Sequence, residues 1–171
     1  MDFAGAPLEI RETREADWAE VRSIRIEMLQ DAPTAFNERV EDALALNEES
    51  WRARVRRSNG ETNITVAAIA NDGTWAGTMS AYVPADGTAP VLAAVYVRPR
   101  FRGGTKGVAD QILDVIESWA ASRGDTLTLL VHEDNRRARR FYERRGFEET
   151  GRSEPYNLNP TQRELEMARH L

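Results

Sequence analysis

Residues 95–109, VYVRPRFRGGTKGVA, contain the end of an apolar strand, a turn with three glycines and the start of a helix. The strand extends back to Val91, and apolar residues recur at helical spacing after the turn. The first N–H groups of a helix are unpaired and carry the positive end of its dipole. Glycine allows close backbone approach to an anion, and Arg102 and Lys106 add positive charge. We therefore predict a phosphate site at this turn.

The turn does not match the sequence patterns of two common nucleotide sites. It lacks the order G-x-x-x-x-G-K-[ST] of the ATP-binding P-loop. It also lacks the acidic residue that follows the second strand of a dinucleotide-binding fold. A phosphate ligand other than ATP or NAD is thus favoured, although a purely structural turn would use the same glycines.

A second motif begins about thirty residues further on, at residues 135–147, NRRARRFYERRGF, directly after a predicted strand. Ala138 and Tyr142 are four residues apart and therefore share one face of a helix. Asn135 is suited to cap the start of that helix, and Gly146 is suited to end it.

Together the two motifs resemble those of the GNAT-type N-acetyltransferase superfamily. That family has a strand, the pattern V-x-P-x-x-R-G-x-G-x-G/A opening a helix, another strand, and then N-x-x-A-x-x-x-Y-x-x-x-G-F. The matching residues are Val97, Pro99, Arg102, Gly103, Gly107 and Ala109 in the first motif and Asn135, Ala138, Tyr142, Gly146 and Phe147 in the second. The match covers about residues 91–152, and the N-terminal part agrees only in its β-α-α order.

The resemblance implies a site for acetyl-CoA as the acetyl donor. Amides of the turn would bind its pyrophosphate, and strand backbone would pair with its pantetheine arm where two parallel strands diverge. Tyr142 would lie near the thioester sulfur and protonate the departing thiolate. The implied cofactor-binding residues are Val95, Val97, Arg102, Gly103, Gly104, Thr105, Lys106, Gly107, Val108, Ala109, Asn135 and Ala138.

The turn departs from the family pattern in its length. The family usually has two residues between the loop arginine and the glycine that Gly107 matches, whereas four separate Arg102 from Gly107. The longer loop contains Lys106, the one lysine among 23 basic residues. Either the added length lets Lys106 reach a phosphate from a new angle, or it loosens the phosphate cradle.

The remaining pattern predicts a mixed α/β (α+β) fold with a mostly antiparallel sheet of six to seven strands and about four helices. The order strand–turn–helix–strand in the second half indicates one parallel pair. We expect a single domain over residues 1–171, with residues 1–7 flexible. The predicted elements are strands at 8–14, 64–70, 74–83, 91–97, 126–131, 147–152 and 163–169, a helix capped by Asp17, a helical stretch at 38–57, and helices after 107 and at 135–145.

Composition excludes several classes of protein. The 171 residues contain no cysteine, so disulfides, thiol catalysis and Cys-based zinc sites are excluded. With only His132 and His170, no metal is expected. No run reaches the roughly 18 apolar residues of a membrane span, and the N-terminus does not resemble a signal peptide. We expect a cytoplasmic protein without a membrane partner.

Charge is distributed unevenly along the chain. Residues 1–50 hold 13 Asp and Glu against five Arg, whereas residues 98–145 hold 11 Arg and Lys against seven acids. The basic stretch corresponds to the expected cofactor side. We expect the acidic half to face a cationic amine of a small molecule or peptide, with Asp31, Phe36 and Tyr156 as candidate substrate-binding residues. Solvated surface acids explain the same charges.

The base that deprotonates the amine is less well determined. Many relatives use a glutamate on the fourth strand, but residues 91–97 contain none. The candidates for this base lie near the end of the fifth strand: Glu133, which we select, Asp134 and His132. Deprotonation through ordered water is the alternative.

Two other functions fit parts of the sequence. Six arginines between residues 136 and 145, beside Phe141 and Tyr142, resemble a site for single-stranded nucleic acid. A helix would spread them around its circumference, so no nucleic-acid partner is expected. A module that binds acyl-CoA without turnover is the second alternative, since the loop is altered and the fourth-strand glutamate is missing. Dimerisation is common in the family, which makes a homodimer one expected assembly.

Overall fold

The computed structural model describes residues 7–103 and 107–171. Within these ranges, five α-helices flank a seven-stranded sheet. The strands are β1 Glu9–Glu12, β2 Asn63–Ile69, β3 Trp75–Tyr82, β4 Val91–Val97, β5 Thr126–His132, β6 Glu148–Tyr156 and β7 Asn159–His170. The helices are α1 Trp18–Asp31, α2 Val40–Ala45, α3 Glu48–Arg57, α4 Val108–Ala121 and α5 Arg136–Arg144.

The strand order is β1-β2-β3-β4-β5-β7-β6, and β4 and β5 form the parallel pair. The predicted mixed, mostly antiparallel sheet is thus confirmed. Helix α4 provides the crossover that a parallel pair requires. The two parallel strands pair only at Val91 with Thr128 and at Leu92 with Leu129, so they separate beyond Leu92.

Two hydrophobic cores cover the two faces of the sheet. On one face, Ile112 and Ile116 of α4 pack with alternate β5 residues such as Leu127 and Leu129. On the other, Trp51 of α3 and the apolar side of α1 pack against β2 to β4. Each fully buried aliphatic or aromatic side chain contributes about 1.5 to 3 kcal/mol. This packing holds β4 and β5 in place on either side of the opening between them.

The sequence predictions for the N-terminal half need two corrections. The helical stretch at 38–57 is divided into α2 and α3, because Leu46 is extended and Asn47 caps α3 by accepting a hydrogen bond from the Ser50 N–H at 2.9 Å. Asp17 occupies the predicted N-cap position of α1, but its side chain makes no capping hydrogen bond to the helix. Its carboxylate pairs with Arg11 at 2.8 Å and accepts the backbone N–H of Arg14.

The last two strands are longer than predicted and form one hairpin with only two residues between them. β6 has almost entirely exposed side chains, and a register shift separates Glu149 from Ser153. A polar edge strand with an irregular ladder lacks the alternation that marks a half-buried strand. Among the helices of the described ranges, none is both long and apolar enough to cross a membrane.

Candidate active site

A cleft of about 780 Å³ opens where β4 and β5 separate. Strand β4 from Leu92 to Val97 lines one side, and the end of β5, from Leu130 to His132, lines the other. Residues at the end of α1 and the start of α4 complete its walls together with one face of α5. The predicted cofactor-binding residues within the described ranges all line this cleft: Val95, Val97, Arg102, Gly103, Gly107, Val108, Ala109, Asn135 and Ala138.

A bulge in β4 borders the cleft. Opposite β3, Tyr96 pairs with Thr78 and Ala93 pairs with Ser80, so two residues of β4 face one of β3. Ala94 has a φ of 52°, in the left-handed region, where a residue other than glycine costs about 1 to 2 kcal/mol. On its other side β4 does not pair with β5 beyond Leu92, so main-chain groups that face the cleft are available to a ligand there.

The glycine turn leads into the start of α4. Gly103 has a φ of 95°, which favours glycine, and the N–H of Gly107 donates to the Asp110 carboxylate at 3.2 Å. The N–H groups of Val108 and Ala109 have no hydrogen-bond partner in the part of the chain that the structure describes. They are therefore available to an anion. The predicted site residues Gly104, Thr105 and Lys106 lie outside the described residues.

Arg102 connects the turn to the opposite wall. Its Nε donates to the Val97 carbonyl at 2.7 Å, and its Nη2 donates to Asp31 at 2.7 Å. The Tyr96 hydroxyl donates to the same Asp31 oxygen at 3.1 Å. Asp31 ends α1, where the helix dipole disfavours a carboxylate. The hydrogen bond from Arg102 offsets this effect and lowers the pKa of Asp31, so a predicted cofactor-binding residue and a predicted substrate-binding residue form an ion pair.

Helix α5 presents Asn135, Ala138 and Tyr142 to the cleft. The predicted caps are confirmed: the Asn135 side chain accepts the Ala138 N–H at 3.2 Å, and Gly146 ends the helix with a φ of 88°. Local hydrogen bonding thus fixes the start and the end of the helix and, with them, the face that it turns to β4 and β5.

Tyr142 is buried, and its ring packs between Phe141 and Phe147 at centroid distances of 5.5 and 5.7 Å. None of the other described residues hydrogen-bonds its hydroxyl. Burial raises the pKa of Tyr142, because the surrounding apolar groups disfavour the phenolate. The phenol therefore keeps its proton at neutral pH and can donate it inside the cleft.

The six arginines of the second motif have different surroundings. Arg137, Arg140 and Arg144 line the cleft, where they add positive charge near the glycine turn. Arg139 instead pairs with Glu149 at 2.6 Å, and Arg145 pairs with carboxylates of α4. The arginines do not form one continuous patch, and half of them face the predicted phosphate site.

Two predicted site residues lie outside the cleft lining. The Tyr156 hydroxyl donates to the carbonyls of Phe36 at 2.9 Å and Pro33 at 3.2 Å, which holds the segment after α1 against β6. Glu133 accepts the backbone N–H of Arg163 at 3.1 Å. The other two candidate substrate-binding residues, Asp31 and Phe36, line the cleft.

Sequence reasoning missed several residues of the cleft. Tyr96, Ala93 and Ala94 on β4 and Leu130 on β5 line it. Alternation along β4 and β5 could have assigned faces to Tyr96 and Leu130, whereas nothing in the sequence marks Ala94 as the residue at the bulge.

Solved structures with this fold include acetyltransferases at low sequence identity. An acetyltransferase of the GNAT family from Streptococcus pneumoniae superposes with a TM-score of 0.78 at 20% identity, over 96% of this chain and 99% of that one. The ribosomal-protein-alanine N-acetyltransferase from Brucella melitensis gives 0.77 at 22% identity, over 96% and 100%. The paia N-acetyltransferase from Thermoplasma acidophilum, in complex with coenzyme A, gives 0.73 at 19% identity, over 96% and 99%.

The sequence itself identifies the family. No curated protein matches it significantly, but the model of the acetyltransferase (GNAT) family matches residues 19–147, most of the chain. That range includes both motifs and the cleft walls from α1 to α5. The chain therefore belongs to the acetyltransferase (GNAT) family.

Proposed function

We propose that this acyltransferase moves the acetyl group of acetyl-CoA to a primary amine of a small molecule or peptide. The observation that carries the proposal is the cleft between β4 and β5, which runs from the β4 bulge to the glycine turn at α4. Its two ends suit the two ends of acetyl-CoA, one charged and one an acyl thioester. The proposal includes the expected single domain and cytoplasmic location, and the transfer as proposed uses no metal.

The residues of the cleft fit such a donor. The N–H groups of Val108 and Ala109, the positive end of α4 and the nearby arginines suit the pyrophosphate. Gly104, Thr105 and Lys106 of the same turn belong to this proposal. The main chain at Val95 and Val97 suits the amides of the pantetheine, because β4 does not pair with β5 beyond Leu92 and both residues line the cleft.

Helix α5 supports the thioester end of the proposal. Asn135 uses its carbonyl oxygen to cap the helix, which leaves its amide group for the pantetheine. The small side chain of Ala138 leaves room for the arm to lie against the helix, and Tyr142 is the proposed acid that protonates the departing thiolate. Asp31 and Phe36 are on the side where the acceptor would enter.

The test combines donor binding with thiol release. Calorimetry should detect binding of CoA, and free thiol should form from acetyl-CoA only when an amine is added from a panel of polyamines, aminoglycosides, amino acids and peptides. Binding without amine-dependent release would indicate an acyl-CoA-binding module instead. Absence of CoA binding would contradict the proposal as a whole.

The strained bulge provides a separate test of the pantetheine site. Ala94→Val should weaken CoA binding at least about tenfold, because a β-branched residue is strongly disfavoured at positive φ and would shift the bulge. Ala94→Gly, which tolerates that conformation, should change the Kd by less than about twofold. Calorimetry with CoA measures both variants, with circular dichroism to confirm folding. Wild-type affinity in folded Ala94→Val would contradict a role for the bulge.

A further inference from the structure

Glu164 is a buried carboxylate for which the described residues provide no ion pair. It lies on β7, where it pairs across the sheet with His132 of β5 and Glu154 of β6, and only 5% of its surface is exposed. Within the described ranges, the one hydrogen-bond donor to it is the Asn37 side chain, at 3.3 and 3.5 Å, and no arginine there forms an ion pair with it. Burial of an ionised carboxylate without a cation is costly, so it calls for an explanation.

The neighbours of Glu164 belong to the cleft wall or adjoin it. His132, its cross-strand partner, lines the cleft, and so does Phe36, which precedes Asn37. Tyr156 contacts both of these wall residues: its ring packs edge-on against His132 at a centroid distance of 5.0 Å, and its hydroxyl donates to the Phe36 carbonyl. Glu164 is therefore adjacent to the cleft wall, next to His132 in the sheet and bonded to the residue that follows Phe36.

Of the other candidate bases, Asp134 is exposed and lies outside the cleft lining, and the other two, His132 and Glu133, are already engaged. A backbone N–H can only donate, so the Asp134 N–H, 3.2 Å from Nδ1 of His132, assigns the lone pair to that nitrogen. The proton is then on Nε2, which donates to the Gln162 side chain at 3.0 Å. Both ring nitrogens of His132 are thus used, and Glu133 binds the main chain of β7 outside the cleft lining. Glu164, with one weak donor, keeps acceptor capacity on its carboxylate.

The groups around Glu164 leave its negative charge uncompensated, so a cation near it would be stabilised. The groups that face it from the packed elements are His132 on β5, Glu154 and Tyr156 on β6, and Asn37 on the segment after α1. None of these supplies a fixed positive charge, and Glu154 adds a negative one. Burial is the main cause that raises the pKa of Glu164, which makes its carboxylate a stronger base than an exposed one.

We propose that Glu164 is the group that takes the proton from the ammonium form of the acceptor, through a water molecule at the wall formed by Phe36 and His132. This inference rests on the proposed acetyl transfer. Once the nitrogen has lost that proton, it forms the C–N bond to the acetyl carbon as the C–S bond breaks. Tyr142 gives its proton to the sulfur and regains one from the amide nitrogen, and Glu164 returns its proton to solvent.

The proposal predicts a specific change in the pH profile. With Glu164 ionised, the enzyme accepts the ammonium form, so wild-type kcat/KM should level off well below the pKa of the amine. In Glu164→Gln the amine must lose its proton in solution first, and kcat/KM should rise about tenfold per pH unit up to the pKa of the amine. The loss should be roughly 100-fold at pH 7 and should shrink as the pH rises.

The experiment measures kcat/KM from thiol release between about pH 6 and 9, with the amine of the panel that the wild type uses best. Glu154→Gln is the matched control: it removes the same charge from the neighbouring strand position, which is exposed, and its profile should still level off well below the pKa of the amine. Calorimetry with CoA and thermal unfolding confirm that each variant is intact. Glu164→Gln should unfold at no lower temperature than the wild type at pH 8, because it removes a carboxylate whose raised pKa weakens the folded state once the group is ionised.

The outcomes separate this inference from the function on which it rests. A Glu164→Gln profile that levels off as in the wild type overturns the role of Glu164 and leaves acetyl transfer intact. No release by the wild type with any amine overturns both. If Glu164→Gln does not fold, Glu164→Asp replaces it: this variant keeps a carboxylate, so the profile should still level off at lower kcat, and a rise up to the pKa of the amine overturns the inference.

Discussion

Replacing Tyr142 by Phe should lower kcat for acetyl transfer by roughly 100- to 10,000-fold, with CoA affinity within about twofold of the wild type. The phenylalanine ring keeps the contacts with Phe141 and Phe147, so the variant removes the hydroxyl and little else. Without that hydroxyl, the departing thiolate must take its proton from water. The expected loss is therefore in the chemical step and not in donor binding.

The measurement is the turnover number from thiol release, together with calorimetry of CoA. Tyr82→Phe is the matched control, since Tyr82 is 42% exposed on β3 and does not line the cleft; its kcat should equal that of the wild type. Because none of the described residues hydrogen-bonds the Tyr142 hydroxyl, the variant should also unfold at the wild-type temperature. An unchanged kcat in Tyr142→Phe would show that Tyr142 is only a packed core residue.

The parts of this site that sequence reasoning predicted are those that short-range interactions determine. The cap at Asn135 and the end of α5 at Gly146 depend on contacts over three or four residues, and the structure has both. The positive φ of Gly103 and the bond from the Gly107 N–H to Asp110, on either side of the turn before α4, likewise depend on neighbouring residues. Spacing within the two motifs was enough to place α4, β5 and α5, and thereby one wall of the cleft.

The parts that it missed depend on contacts between distant segments. Arg102 and Asp31 are 71 residues apart, and Asn37 and Glu164 are 127 apart. Counting acids along the first 50 residues overstated the charge available to an acceptor, because Glu38 is already paired with Arg25 and Arg54. A charge count cannot tell a neutralised carboxylate from one without a cation, and that difference is what distinguishes Glu164.

Arg145→Leu should lower the free energy of unfolding by about 3 kcal/mol, a drop in Tm of roughly 6 to 12 °C. The Arg145 side chain is 15% exposed and contacts three carboxylates on one face of α4: Asp110 at 3.2 Å, Asp114 at 2.8 Å and Glu117 at 3.0 Å. Its loss would leave these negative charges next to one another. Among the described residues, Glu117 would then keep its bond to Arg169 alone.

Arg144→Leu is the matched control, because Arg144 is 64% exposed and its ion pair with Asp110 is long, at 3.9 Å. A surface pair of this kind contributes less than about 1 kcal/mol. Thermal and urea unfolding measure both variants, and equal losses would contradict the buried network. Arg145 also joins the end of α5 to the first turn of α4, so its loss should weaken CoA binding even at temperatures where the variant is folded. Arg145→Lys keeps the charge but cannot bind three carboxylates at once. An intermediate Tm for this variant would show that the shape of the arginine side chain, in addition to its charge, stabilises the contact between α5 and α4.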